Sequence, residues 1–188
     1  MTSWTRRTDD GTYGLVIEEP ALGGLDRMCS DAGDIETGGV LVGWYSADLA
    51  VAVVREATPP PSDSRQGRSW FKRGVAGLRD MLRRRWRSKE RSYYLGEWHY
   101  HPSQHVEASV VDIEQMYTIR EDPNYRCEEP ILVILGRVGV GDERPIRAFV
   151  FPRAVPQKEF IRLPNRMHPS AARVGCGMLL SADLGRRA

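Results

Sequence analysis

The sequence predicts an α/β protein, a β-sheet flanked by helices. Three observations carry this. Segments of strand character alternate with segments of helical apolar spacing. The 188 residues, with a hydrophobic fraction of 41%, suffice for one domain with a buried core. No internal repeat or second block of composition divides the chain. Strands interleaved with three helices make a layered α/β or α+β sandwich.

"YGLVIEE" (13–19) reads as the first strand. Pro20 suits a helix start, and "ALGGLDRMCSDAG" (21–33) reads as a helix ending near Gly33. "GGVLVGWYS" (38–46) and "LAVAVVREA" (49–57) are expected to form a hairpin about a short Ala-Asp turn. "TPPPSDSRQGR" (58–68) has loop composition. In 69–90 the apolar residues Phe71, Val75, Leu78, Leu82 and Trp86 recur at helical intervals, which predicts one long amphipathic helix with Ser69 as its N-cap. "SYYLGEWHYH" (92–101) is an expected strand and "EASVVDIEQMYTIRE" (107–121) a helix, followed by a loop over 122–130. "ILVILGRVG" (131–139) and "IRAFVFP" (146–152) flank a "GDERP" turn as a second hairpin, and "KEFIRLP" (158–164) adds a short element. Residues 1–164 are expected to form the domain, with 165–188 a poorly ordered tail.

Composition narrows the function classes. A net charge of +2 gives no global argument for nucleic acid or an anionic membrane. The basic residues are nearly all arginine; only Lys72, Lys89 and Lys158 are lysines. Cys29, Cys127 and Cys176 lie far apart, without the spacing of a disulfide framework or a structural zinc site. The charged N-terminus lacks an apolar signal region, and the longest aliphatic run, 131–135, is far too short to span a bilayer. A cytoplasmic protein with reduced thiols is the expectation.

The chemistry concentrates in "GEWHYHPSQHVEASVVD" (96–112), which holds three of the four histidines. His99 and His101, two apart on a strand, face one way about 6–7 Å apart. Pro102 ends the strand. Ser109 and Asp112 share one face of the following helix. Asp112 can then be a third ligand, with the Ser109 hydroxyl pointing into the same space. Two imidazoles and one carboxylate leave a tetrahedral zinc one position for water, the composition of a catalytic site. HExxH, the nucleotide-deaminase pattern and the HxHxDH pattern are all absent, the last because Ser103 stands where an aspartate would be needed. His105 and His168 occupy no such position, and Trp98, alternating away from the histidines, is expected in the core.

His99, His101, seven residues from Pro102 to Ala108, then Ser109 and Asp112 resemble the JAMM signature of JAB/MPN metalloproteases, in its bacterial stand-alone form. "GEWHYHP" is similar to the family's motif strand, and "ETGGVLVG" supplies the family's upstream glutamate at Glu36, with Gly38, Gly39 and Gly43. The resemblance covers roughly residues 13–152. It implies a cytidine-deaminase-like fold, a curved mixed β-sheet flanked by helices. It also implies a Zn2+ cofactor held by His99, His101 and Asp112, with Glu36 as general base and Ser109 as oxyanion donor. The implied activity is hydrolysis of peptide or isopeptide bonds after the C-terminal glycine of a ubiquitin-like protein, in some relatives within antiviral operons carrying E1- and E2-like partners. Release of a sulfur-carrier protein from an amino-acid adduct and a silent MPN interaction module stay open. The basic run 83–91 could neutralise phosphates, but a solvated helix face is the reading preferred, and nucleic acid is not the expected partner. The loop "PSQHVEA" lacks the extra prolines and glycines common in bacterial members.

Overall fold

The computed structural model describes residues 3–48, 50–104, 106–139 and 143–162. In chain order its elements are β1 (Trp4–Arg7), β2 (Gly14–Ile17), α1 (Glu19–Ala32), β3 (Thr37–Tyr45), β4 (Val51–Ala57), β5 (Arg65–Gln66), β6 (Phe71–Lys72), α2 (Leu78–Arg87), β7 (Tyr93–Tyr100), α3 (Val110–Glu121), β8 (Ile131–Leu135), β9 (Ile146–Val150) and β10 (Lys158–Glu159). Eight strands form one mixed sheet in the order β1-β2-β4-β3-β7-β8-β9-β10. β2 runs parallel to β4 and β7 parallel to β8, while the other neighbours are antiparallel. Beyond β10, Ile161 bridges back to Arg7 of β1, so the curved sheet nearly closes on itself.

Each face of the sheet has its own core. On one, Leu25 and Cys29 of α1 pack with Leu15, Ile17, Leu41, Leu95, Trp98 and Val133. On the other, Met116 and Ile119 of α3 pack with Val40, Val42, Leu132, Ile134 and Phe151. β8, "ILVIL", is buried at every residue because helices cover both faces beside a parallel neighbour. Trp98 lies fully buried among the α1-side residues and donates its indole N–H to Thr58 O at 2.9 Å, as expected from its alternation. The strand predicted to carry the histidines, β7, is central, bonded to β3 on one side and β8 on the other. Its closeness to β3 depends on small residues: a Cβ at Gly38 would come within 2.4 Å of Trp98 O and 2.9 Å of His99 Cδ2.

The structure departs from the sequence reading at three places. The long helix expected over 69–90 begins only at Leu78, and its N-cap is Gly77 at φ 74°, not Ser69. Residues 65–72 form a two-stranded hairpin instead, in which Phe71 packs edge-on against His99, ring centroids 5.6 Å apart. Phe71 therefore follows a tertiary contact, and Val75 stays 67% exposed rather than joining a helical stripe. An edge strand, β1, precedes the first predicted one and pairs with β2. The helix expected from 107 starts at Val110, with Ser109 its N-cap. His105, part of the "GDERP" turn and the segment from 163, with His168 and Cys176, lie outside the described residues.

Candidate metal centre

Two elements bring the three expected ligands together. β7 presents His99, and the chain just past its end presents His101. The start of α3 presents Asp112. One donor atom from each lies within 4.8 Å of the others. His99 and Asp112 are buried, and the His101 side chain is 17% exposed. His99 Nδ1 stands 2.6 Å from Asp112 Oδ1, and His101 Nε2 stands 3.7 Å from Asp112 Oδ2.

The helix cap fixes the carboxylate. The Ser109 amide and hydroxyl donate to Asp112 Oδ2 at 2.8 and 2.7 Å, and the Asp112 amide donates back to Ser109 Oγ at 3.2 Å. This is a capping box with aspartate in the third position. The spacing that places Ser109 and Asp112 on one face thus also starts the helix. In this arrangement the Ser109 hydroxyl faces its neighbour's carboxylate.

Glu36 immediately precedes β3. Thr37 pairs with Tyr100 and Gly38 with His99, so Glu36 stands at the end of the β3–β7 ladder that carries His99 and leads into His101. Its amide donates to Gly67 O of the β5–β6 turn at 2.8 Å. Burial raises its carboxyl above the usual range, the Asp112 charge raises it further, and His99 opposes. The carboxyl therefore feels both groups, and it is half-buried.

The charges of the cluster are coupled. Burial pulls the His99 imidazole down, but its hydrogen bond to Asp112 and the nearby Glu97 carboxylate override this and push it up to about 9. Burial would raise Asp112, yet His99 and Ser109 bring it down to about 2. Burial lowers His101. A carboxylate converging with two imidazoles could hold a metal cation. Nitrogen and oxygen donors without sulfur suit a borderline divalent ion rather than a soft one.

Among the described residues no cysteine is placed to act as a nucleophile. Cys29 and Cys127 are buried, and burial pushes both thiols up to about 12. Sequence reasoning missed Phe71, Arg73, Gln115 and Glu97. Glu97 shares its strand face with His99 and His101, and that alternation was the available signal.

No family model matches the chain. A curated protein from Enterobacter hormaechei subsp. hoffmannii, named CD-NTase/cGAS isopeptidase, is 41% identical over 149 residues, which cover 79% of this chain and 81% of that protein. The solution structure of a protein from Desulfitobacterium hafniense aligns at TM-score 0.53 and 17% identity over 77% of this chain and 88% of that one, a likeness of fold alone. Among the described residues no helix is long and apolar enough to cross a membrane.

Proposed function

Because the chain belongs to the family of that CD-NTase/cGAS isopeptidase, we propose that it is a zinc-dependent isopeptidase of the JAB/MPN (JAMM) type. The observation that carries the reading is the His99–His101–Asp112 cluster, buried and convergent beside a carboxyl of raised proton affinity. The substrate is a protein joined through its C-terminus to an amine. The resemblance points to a ubiquitin-like protein ending in glycine, and the relative's name points to a CD-NTase.

His99, His101 and Asp112 would hold the ion, a donor set that fits zinc with room for one further ligand. When bound, the ion supplies a Lewis acid and makes water acidic enough to deprotonate near neutrality. Glu36 orients the attacking water and takes its proton, for which half-burial and a raised pKa suit it. Glu36 then returns the proton to the departing amine. Ser109, exposed at the rim, offers its hydroxyl to the carbonyl oxygen as negative charge develops there, turning from Asp112 to do so.

The test is direct. Purified protein, assayed for metal and incubated with a conjugate carrying an isopeptide-linked C-terminus, should contain zinc and release the modifier. A chelator should stop release, and added zinc should restore it. Full cleavage by chelator-stripped protein would remove the metalloprotease reading.

A further inference from the structure

Glu97 lies two residues before His99 on β7 and is fully buried. A carboxylate so placed is costly unless it is paired and hydrogen-bonded. Its partners come from separate parts of the fold. Arg73 Nε donates to Oε1 at 2.8 Å, Arg73 Nη2 lies 2.7 Å from the same oxygen, and the Tyr94 hydroxyl donates to it at 3.3 Å. Gln115 Nε2 donates to Oε2 at 2.8 Å. Arg73 is itself held, donating to the Tyr125 hydroxyl at 2.8 Å and to Gly74 O at 2.9 Å.

Oε1 is thus saturated, while Oε2 has one donor and room for another. Facing Oε2 at 3.8 Å is His99 Nε2. Among the described residues that nitrogen is the buried side-chain polar atom left without a hydrogen bond. The other ring nitrogen, Nδ1, faces Asp112 and the cluster. An imidazole that ligates a metal commonly donates its second N–H to a carboxylate, which fixes its tautomer and ring plane.

From this geometry we infer that Glu97 is the positioning residue of the metal centre: its Oε2 accepts the Nε2 proton of His99, so that Nδ1 is presented to the ion. Arg73 compensates the charge of Glu97 and ties the segment that carries Phe71 to the ligand it packs against. Gln115 stands three residues after Asp112, so one face of α3 supplies a ligand and clamps the positioning carboxylate. The inference rests on the reading that the cluster binds an ion. A buried ion pair of structural value alone would explain Arg73 and Glu97, but not why the unbonded Nε2 of His99 faces Oε2.

Zinc affinity of the metal-stripped protein, measured by competition with a chromophoric chelator beside its melting temperature, separates these. Glu97→Gln should weaken zinc binding about 10- to 100-fold. In the double variant Glu97→Leu with Arg73→Met no buried charge is left unpaired, so the melting temperature should return toward that of the parent while zinc binding stays weak. Recovery of zinc affinity together with melting temperature would overturn the inference. Long-range proton–nitrogen spectra of zinc-loaded, 15N-histidine-labelled protein give a second readout. His99 should carry its proton on Nε2; a proton on Nδ1 overturns the positioning role and leaves the metal site standing. A parent protein that takes up no zinc would instead remove the metal reading itself, and this inference with it.

Discussion

Helices α2 and α3 both lie near the central strand β7, and they are built in opposite ways. α3 opens on a capping box and buries Asp112, Met116 and Ile119. α2 has a left-handed glycine at its N-cap, no side-chain cap and no buried residue. Leu78, Met81 and Leu82 rest half-buried on the second core, Arg85 pairs with Glu56 at 2.6 and 2.8 Å, and Trp86 meets Tyr93 edge-on, leaving the remaining arginines in solvent. The helix that would do chemistry is fixed by cap, core and ligand cluster together. The other is fastened along one side and presents a basic surface. Substitutions on the α3 side should therefore act on the ion and the reaction, and those on α2 on recognition alone.

The largest effect is expected at Asp112. Asp112→Ala removes a proposed ligand and half of the capping box, so zinc content and turnover should fall to background while unfolding loses about 1 kcal/mol from the cap. Elemental analysis and thermal melts measure the two parts. Normal zinc content in this variant would break the contrast, because α3 would then be a structural helix like any other. Glu36→Gln should keep the ion and lower kcat by about 10²–10⁴-fold, the usual share of a general base. Zinc lost together with activity would make Glu36 a ligand instead.

Gly38→Ala tests the seam between the hairpin segment and the centre. The added methyl would meet the Trp98 carbonyl at 2.4 Å, the Phe71 ring at 2.8 Å and His99 at 2.9 Å. The carbonyl belongs to a central strand and cannot yield easily. A loss of about 1–3 kcal/mol in thermal unfolding is expected, with weaker zinc binding because Phe71 and His99 must shift. Unchanged stability would mean that β3 and β7 separate more readily than their pairing indicates.

How far these features could be read in advance follows the range of the interactions. The convergence of His99, His101 and Asp112 was legible because strand alternation and the i, i+3 relation are local rules, and the cap chemistry of Ser109 and Asp112 coincides with the motif. Glu36 became legible only through the resemblance, since its approach to the cluster depends on the pairing of β3 with β7. The segment 69–77 misled because Phe71, Val75 and Leu78 imitate a helical stripe, although Gly74 and Gly77 interrupt it and Phe71 is drawn to His99. β1 escaped notice because its residues alternate between half-buried and exposed, with two arginines among only four positions. Arg73 and Glu97, 24 residues apart, are joined by tertiary packing that no local pattern announces.

The smallest effect on the metal centre should come from α2. Arg83, Arg84 and Arg87 are exposed, and reversing them to glutamate removes no buried contact. Acidic residues in the last turn oppose the helix dipole, so stability should fall by about 1 kcal/mol, while zinc content and cleavage of a short peptide should not change. Cleavage of a whole-protein conjugate is the sensitive measurement. Exposed charges act mainly through encounter and are screened by salt. If the arginine face steers an acidic partner, the reversal should raise KM for the conjugate at low salt, leave kcat alone, and lose its effect as salt is added. A drop in kcat on the short peptide would instead show that α2 reaches the reacting groups, and the division of labour between the two helices would fall.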